Sequence, residues 1–330
     1  MPVIVDAMGG DYAPLEIVQG AIQAAREDGI EILLVGRQSE LESHPIAGLP
    51  IRVHDAADVV GMDEHPARAV RKKPNSSIRI CARLLKENPG SALVSAGHTG
   101  AVMAAALMEV GRTPGIERPG IAAVIPTLKT DVVVCDVGAN VDCKPSHLVQ
   151  FAQMGAAYAQ HVLGIDRPRV ALLNIGSEDA KGNELCLAAF PLLTAAGLNF
   201  VGNIEPDHVY LGDADVVVTD GFAGNIFLKT SEGLSKVFQR LIGETAAELG
   251  EKARALGPLI QRLERWKTEQ PNNSGAPLLG LEGACIITHG AARAGMMRHA
   301  IALGHRFATS GALAAIRVMS QRPEPAQGTV

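Results

Sequence analysis

The sequence predicts an α/β protein whose sheet is mostly parallel, and three observations carry this. Short runs of β-formers alternate with helical patterns along nearly the whole chain, the signature of βαβ units. Thirty-five glycines and 19 prolines among 330 residues suit a fold with many tight connections. Clusters of Gly, Asn, Ser and Thr follow the β runs, where the carboxyl ends of parallel strands bind ligands.

The first strand is expected at Val3–Asp6, running into Asp-Ala-Met-Gly-Gly-Asp. A helix follows at Leu15–Glu27, because Leu15, Val18, Ile22 and Ala25 share one face and Arg26, Glu27 and Asp28 close it. Strands at Glu31–Val35 and Ile51–His54 precede a helix at Ser77–Glu87. A strand at Ala92–Ser95 then feeds a helix at Ala101–Glu109. The β-branched runs Ile121–Ile125 and Val132–Asp136 read as successive strands, and Ser146–Leu163 as the helix that returns from them. Strand Val170–Asn174, helix Glu184–Ala196, and strands Asn199–Gly202 and Val216–Thr219 continue the alternation. Phe222–Leu249 is a long helix, and a polar tail follows Gln321.

With 47% hydrophobic residues the chain can bury a large core, taken here as a single domain over residues 1–330. Aromatic residues make up 3% and the net charge is −5, which argue against nucleic-acid binding. Cys81, Cys135, Cys143, Cys186 and Cys285 form no CxxC pair and an odd count, the pattern of reduced thiols in a cytosolic protein. Neither a signal peptide nor an apolar run near the roughly 18 residues needed to span a bilayer is read.

Chemistry-bearing residues gather at four further strand exits: SAGHTGA, DVGANVD, NIGSEDAKG and TDGFAGN. Each leads into a helix start, whose free N–H groups favour anions. Together they point to a phosphate or other anion site. The commoner nucleotide and hydrolase signatures are missing: there is no GxGxxG after the first strand, no GxxxxGK[ST] and no GxSxG. No closely spaced His pair occurs, and no cofactor or metal is expected. A phosphate-handling α/β enzyme without a nucleotide signature remains.

The blocks IVDAMGGDYAP, VSAGHTGA, DVGANVDCKPSHLVQFAQMG, LNIGSEDAKGNE, GNIEP, DGFAGNIFLKTSEG and GAPLLGLEG resemble the bacterial phosphate acyltransferases, in order from Ile4 to about Gly290. The resemblance implies transfer of a fatty acyl group from acyl-acyl carrier protein to inorganic phosphate, giving acyl phosphate for phospholipid synthesis. It also implies a three-layer α/β/α fold akin to isocitrate and isopropylmalate dehydrogenases and phosphotransacetylase. A homodimer, peripheral attachment to the inner membrane face, and hand-over to a glycerol-3-phosphate acyltransferase are implied as well. His98 stands where the family pattern has Asn, Ser177 where it has Glu, and Asn273-Ser274 where it has Tyr-Gly.

Phosphate attack on a thioester needs a held dianion, a cation and an oxyanion donor more than strong acid–base help. Lys181, after the NIGSED turn, is the candidate cation, and the Asn225 amide the candidate donor; the resemblance points to both. Gly9 and Gly10 would let backbone approach the phosphate, with Asp6 and Asp11 accepting hydrogen bonds behind it. Ser95, His98, Thr99, Asn140, Asn174 and His289 are expected around the pocket. Cys143 offers a rival two-step route through a thiolate.

Arg68, Arg71, Lys72 and Lys73 form a basic patch suited to an acidic carrier protein. An inserted amphipathic helical pair is expected over residues 235–268. There Leu259, Ile260, Leu263 and Trp266 share one face, suited to a lipid interface or a subunit partner. Two alternatives stay open: a phosphotransacetylase-like enzyme using acyl-coenzyme A, and a catalytically silent membrane scaffold for carrier protein.

Overall fold

The computed structural model describes residues 1–264 and 274–320. In chain order they form β1 (Val3–Asp6), α1 (Leu15–Glu27), β2 (Ile32–Gly36), α2 (Gln38–Leu41), β3 (Ile51–Asp55), α3 (Pro66–Lys72), α4 (Ser77–Glu87), β4 (Ala92–Ser95), α5 (Thr99–Glu109), β5 (Gly120–Ile125) and β6 (Val132–Cys135). Next come α6 (Pro145–His161), β7 (Val170–Leu173), α7 (Glu184–Ala195), β8 (Phe200–Ile204), α8 (Pro206–Leu211), β9 (Val216–Val218) and α9 (Gly221–Leu249). A 3-10 segment at Gly250–Leu256 leads to α10 (Gly257–Glu264), then β10 (Ala276–Leu279), β11 (Ala284–Ile287), α11 (Ala294–Thr309) and α12 (Ala312–Ser320). Each strand and helix expected between Val3 and Leu249 is present, its ends shifted by a residue or two.

The strands make one sheet in the order β3-β2-β1-β4-β11-β10-β5-β6-β9-β7-β8. Pairing is parallel except between β11 and β10, β10 and β5, and β5 and β6. The sheet therefore consists of two parallel halves running in opposite directions. They are also staggered. On one side Asp6 pairs with Ser95, Ser95 with Ile287 and Ile287 with Ala276. On the other, Leu278 pairs with Ile121 and Ala122 with Cys135. The carboxyl ends of β1, β4 and β11 thus meet those of β6, β9 and β7 near the middle of the sheet.

Alternate strand residues face opposite sides. Val3, Val5, Val94, Val124 and Val133 join one core with residues of α1, α6, α7, α11 and α12. Ile4, Leu93, Ile121, Ala123 and Val134 join a second with α3, α4, α5, α8 and the base of α9. These are the two outer layers of a three-layer α/β/α fold. Gly20 shows how tightly they close: a Cβ there would stand 2.7 Å from the Ala294 carbonyl oxygen, so only glycine lets α1 lie against α11.

At 29 residues α9 is about 43 Å long. Its buried residues are Gly221, Gly224 and Phe227, all in its first turns. Beyond them Leu234, Val237, Phe238 and Leu241 are exposed on one stripe. The outer part of α9, the 3-10 segment and α10 occupy the span of the expected helical pair as far as Glu264. Leu259 is exposed and Ile260 and Leu263 are half-buried, whereas Trp266 and Asn273 lie outside the described residues. Among the described residues no helix is long and apolar enough to cross a membrane.

Candidate active site

The exits of β1 and β4 are tied together beneath the surface. Asp6 is buried and accepts the Ser95 hydroxyl at 2.8 Å and the Met8 N–H at 3.3 Å, while Ser95 Oγ also accepts the Gly97 N–H at 3.0 Å. Burial pushes the Asp6 carboxyl above its ordinary range, opposed by hydrogen bonds from Ser77, Ser95, Met8 and Gly9. Gly9 is where the two loops touch, since a Cβ there would stand 2.6 Å from Asp6 Oδ2 and 2.8 Å from the Gly97 nitrogen. Gly10, at φ +113°, lies against Ala96 and the Gly290 carbonyl. The two glycines thus serve close packing of three exit loops. Asp11 donates its N–H to Gly290 at 2.8 Å, but its exposed carboxylate holds no group among the described residues, contrary to the role expected of it.

The other half-sheet repeats the device with Asp136, which sequence reading left out. Its Oδ1 accepts the N–H groups of Ile121, Gly138 and Ala139, and its Oδ2 both the N–H and the side-chain amide of Asn140. Burial raises this carboxyl too, against those same hydrogen bonds. The available signal was a likeness between VVVCDVGAN and VIVDAMGG: a buried β run ending in Asp and then small residues.

Asn140 and Asn174 were expected to face the pocket, and both are consumed by loop structure. The Asn140 amide donates to the Pro119 carbonyl at 2.8 Å and to Asp136, so neither of its protons is left for a ligand. Asn174 is buried, donates to the Lys181 carbonyl at 2.9 Å and accepts the Ile175 N–H. It therefore holds the loop that carries Lys181. The Lys181 side chain itself is exposed and has no ion pair among the described residues.

Between the two sets of exits and α9 lies a cleft of about 630 Å³. Thr99, Gly138, Asn225 and His289 line it, and Ile121, Ala123 and Ile125 of β5 give it an apolar wall. Asn225 does not cap α9: Asp220 does, accepting the N–H groups of Phe222 and Ala223 at 2.9 Å each. That leaves the exposed Asn225 amide, one turn inside the helix, without a structural task among the described residues. His289 Nδ1 accepts the Ala291 N–H at 3.1 Å, so its neutral ring carries the proton on Nε2. His98 caps α5 in the same way, with Nδ1 accepting the Gly100 N–H at 3.1 Å. It lines a small recess with Asp6 and Gly9 rather than the large cleft.

Cys143 stands apart from this cleft, half-buried. Burial, with the carboxylates of Asp136, Asp220 and Asp142, pushes its thiol up to about 11 against a hydrogen bond at Gly221. Such a thiol is a poor nucleophile at neutral pH. In the basic patch Arg68, Arg71 and Lys72 are exposed on α3, whose Pro66 packs on Gly100 at the start of α5. Lys73 does not belong with them. Its ammonium bonds to Glu64 at 2.5 Å and to the Val59 carbonyl at 2.8 Å.

Three kinds of likeness bear on this arrangement. Residues 1–314 match the family model described as fatty acid synthesis protein. The chain is 46% identical over 323 residues to a phosphate acyltransferase of Desulforamulus reducens, covering 96% of each, and 47% identical over 324 residues to one of Desulfitobacterium hafniense, again covering 96% of each. Among solved structures, a phosphotransacetylase from Staphylococcus aureus superposes with a TM-score of 0.63 at 16% identity, covering 93% of this chain and 94% of that one. A putative 4-hydroxythreonine-4-phosphate dehydrogenase from Salmonella typhimurium superposes at 0.54 and 15% identity, covering 93% and 99%. These two show a shared fold.

Proposed function

This chain belongs to the fatty acid synthesis protein family, whose curated relatives are phosphate acyltransferases, and from that premise we propose that its acyl donor is acyl-acyl carrier protein. It is an acyltransferase that moves an acyl group to phosphate. In the proposed reaction, which is reversible, inorganic phosphate takes the fatty acyl group and acyl phosphate leaves for phosphatidic acid synthesis.

A phosphate oxygen attacks the thioester carbonyl carbon, and the carbonyl electrons collect on its oxygen. Collapse of that oxyanion breaks the C–S bond, and the thiolate leaves and takes a proton from water. By analogy with phosphate monoesters, whose second ionisation lies at about 6, much of the phosphate is already dianionic at neutral pH. The thiol, ordinarily ionising at about 8.5, departs without a strong acid. The task is to position and to stabilise charge. Asn225 donates its amide to the oxyanion. Lys181, exposed on the exit loop of β7 and outside the residues that line the cleft, supplies the cation for the phosphate by reaching toward it. Thr99 and the Nε2–H of His289 complete the donors at the head of the cleft. The observation that supports this reading most is the cleft itself: an uncommitted amide and two further polar groups stand opposite an apolar wall that suits the hydrocarbon part of an acyl thioester.

The exposed cations Arg68, Arg71 and Lys72 beside the start of α5 suit an acidic carrier protein. The apolar stripe on outer α9, with Leu259 of α10, suits a lipid surface or a second copy in a homodimer. A membrane-attached enzyme would hand acyl phosphate to a glycerol-3-phosphate acyltransferase there. The test is acyl-phosphate formation from palmitoyl-carrier protein and from palmitoyl-coenzyme A. The reading expects the lower KM with carrier protein, and a rise in that KM alone when Arg68 and Arg71 are changed to Glu. Equal KM values for the two donors would contradict it.

A further inference from the structure

The wall of the cleft formed by α9 is polar, unlike the sheet wall opposite. Asn225, Lys229, Glu232 and Lys236 recur at helical spacing and line it, with Ser231 and Ser235 beside them. Lys229 and Glu232 satisfy each other at 2.9 Å. Lys236 is exposed at the outer end and has no carboxylate partner among the described residues. From Asn225 to Lys236 the helix rises about 16 Å, at about 1.5 Å for each residue.

We infer that this face of α9 measures the 4′-phosphopantetheine arm of the acyl donor, with Lys236 binding the arm's phosphate when the thioester carbonyl is at Asn225. The inference rests on the acyl-transfer reading above and names what that site recognises besides the acyl group. From thioester sulfur to phosphorus the arm has about thirteen bonds. At about 1.2 Å each in an extended chain they span about 16 Å, the length of helix available. The arm is also two-sided. Its amides and hydroxyl face the polar wall, where the Glu232 carboxylate still offers acceptor capacity and Ser231 and Ser235 are held by Phe227, Tyr210 and Gln239. Its methylenes and gem-dimethyl group match Ile121, Ala123 and Ile125 opposite. Because Lys229 neutralises Glu232, the cation left over for a phosphate is at the far end, where the arm's length puts it.

The arm occurs both on carrier protein and in coenzyme A, so the experiment uses free arms and both donors. Binding of 4′-phosphopantetheine and of pantetheine, which lacks the phosphate, is measured by titration of the unaltered protein and of Lys236→Ala. The substitution should weaken 4′-phosphopantetheine about fivefold, as for a partly exposed ion pair, and leave pantetheine unchanged. Equal affinity of both proteins for 4′-phosphopantetheine would overturn the inference. So would an equal loss for both arms. In turnover, the variant should raise KM for the donor while kcat holds. A rise with palmitoyl-carrier protein, without turnover of palmitoyl-coenzyme A, identifies carrier protein as the source; a rise with both identifies the shared arm. If the arms bind as expected but no acyl phosphate forms from either donor, the arm site stands and the acyl-transfer reading fails.

Discussion

Ser95 donates its hydroxyl to Asp6 across two neighbouring strands, 89 residues apart in the chain and 2.8 Å apart in space. The pair pins the exits of β1 and β4 at the level where the opposite half-sheet also ends. Ser95→Ala removes a donor from a buried carboxyl, so a loss of about 1–3 kcal/mol is expected in urea denaturation. Activity should fall as well, because the Gly9–Gly97 contact lies directly above the pair. A variant as stable as the unaltered protein would show that the bond bears no load.

Asp6 also gives a pH dependence with a definite sign. Its folded carboxyl ionises above the ordinary value of about 3.9, because burial outweighs its hydrogen bonds. Over the window above that value the folded state keeps a proton that the unfolded state has released. The stabilisation is fully present below the window and is lost as pH rises through it. Measured from pH 4 upward, the stability of the unaltered protein relative to Asp6→Asn should therefore decline. Asp136 is shared by both proteins and cancels. A relative gain with rising pH would contradict the account.

Asp220 and Asn225 separate stability from catalysis on one helix. Asp220→Ala removes the cap of α9 and should cost about 1 kcal/mol. Asn225→Ala should leave the melting temperature unchanged and reduce kcat by about 10²–10³, the cost of one lost oxyanion donor. The two variants, compared by calorimetry and by turnover, should show opposite patterns.

The route through a covalent acyl-thiol can be tested at Cys143. With its thiol pushed up to about 11, only about one molecule in ten thousand carries the thiolate at neutral pH. Cys143→Ser should keep kcat within a few-fold, and no acyl group should remain on the protein in a quenched reaction. Loss of activity in this variant would favour the two-step route.

Much of the fold is legible in the sequence because the strands are continuous apolar runs bounded by turn residues, as VVVC and VIVD are. β10 and β11 are harder. APLL contains a proline and ACII is four residues long, and they become strands by bridging two half-sheets that pair nowhere else. α11 is masked by Gly295 and Gly304. Gly304 is needed where the helix meets the sheet, since a Cβ there would stand 2.9 Å from a Val94 methyl.

At the site, the sequence marks which loops converge but not how their donors are spent. Asn140, Asn174 and Asn225 look alike in a string of Gly-rich turns. Only in three dimensions do the first two prove to be occupied with Asp136, Pro119 and Lys181, and the third to be open to the cleft. Lys73 and its neighbours differ in the same way, because Glu64 lies nine residues earlier and folds back on one lysine alone.

The most direct test is acyl-phosphate formation from palmitoyl-carrier protein and inorganic phosphate by the unaltered protein, Lys181→Ala and Asn225→Ala, with folding followed by circular dichroism. Steady product formation by the unaltered protein, and its collapse in both folded variants, is the expected result. Product formed equally well by either variant, or none from the folded unaltered protein, would contradict direct phosphate attack at this cleft.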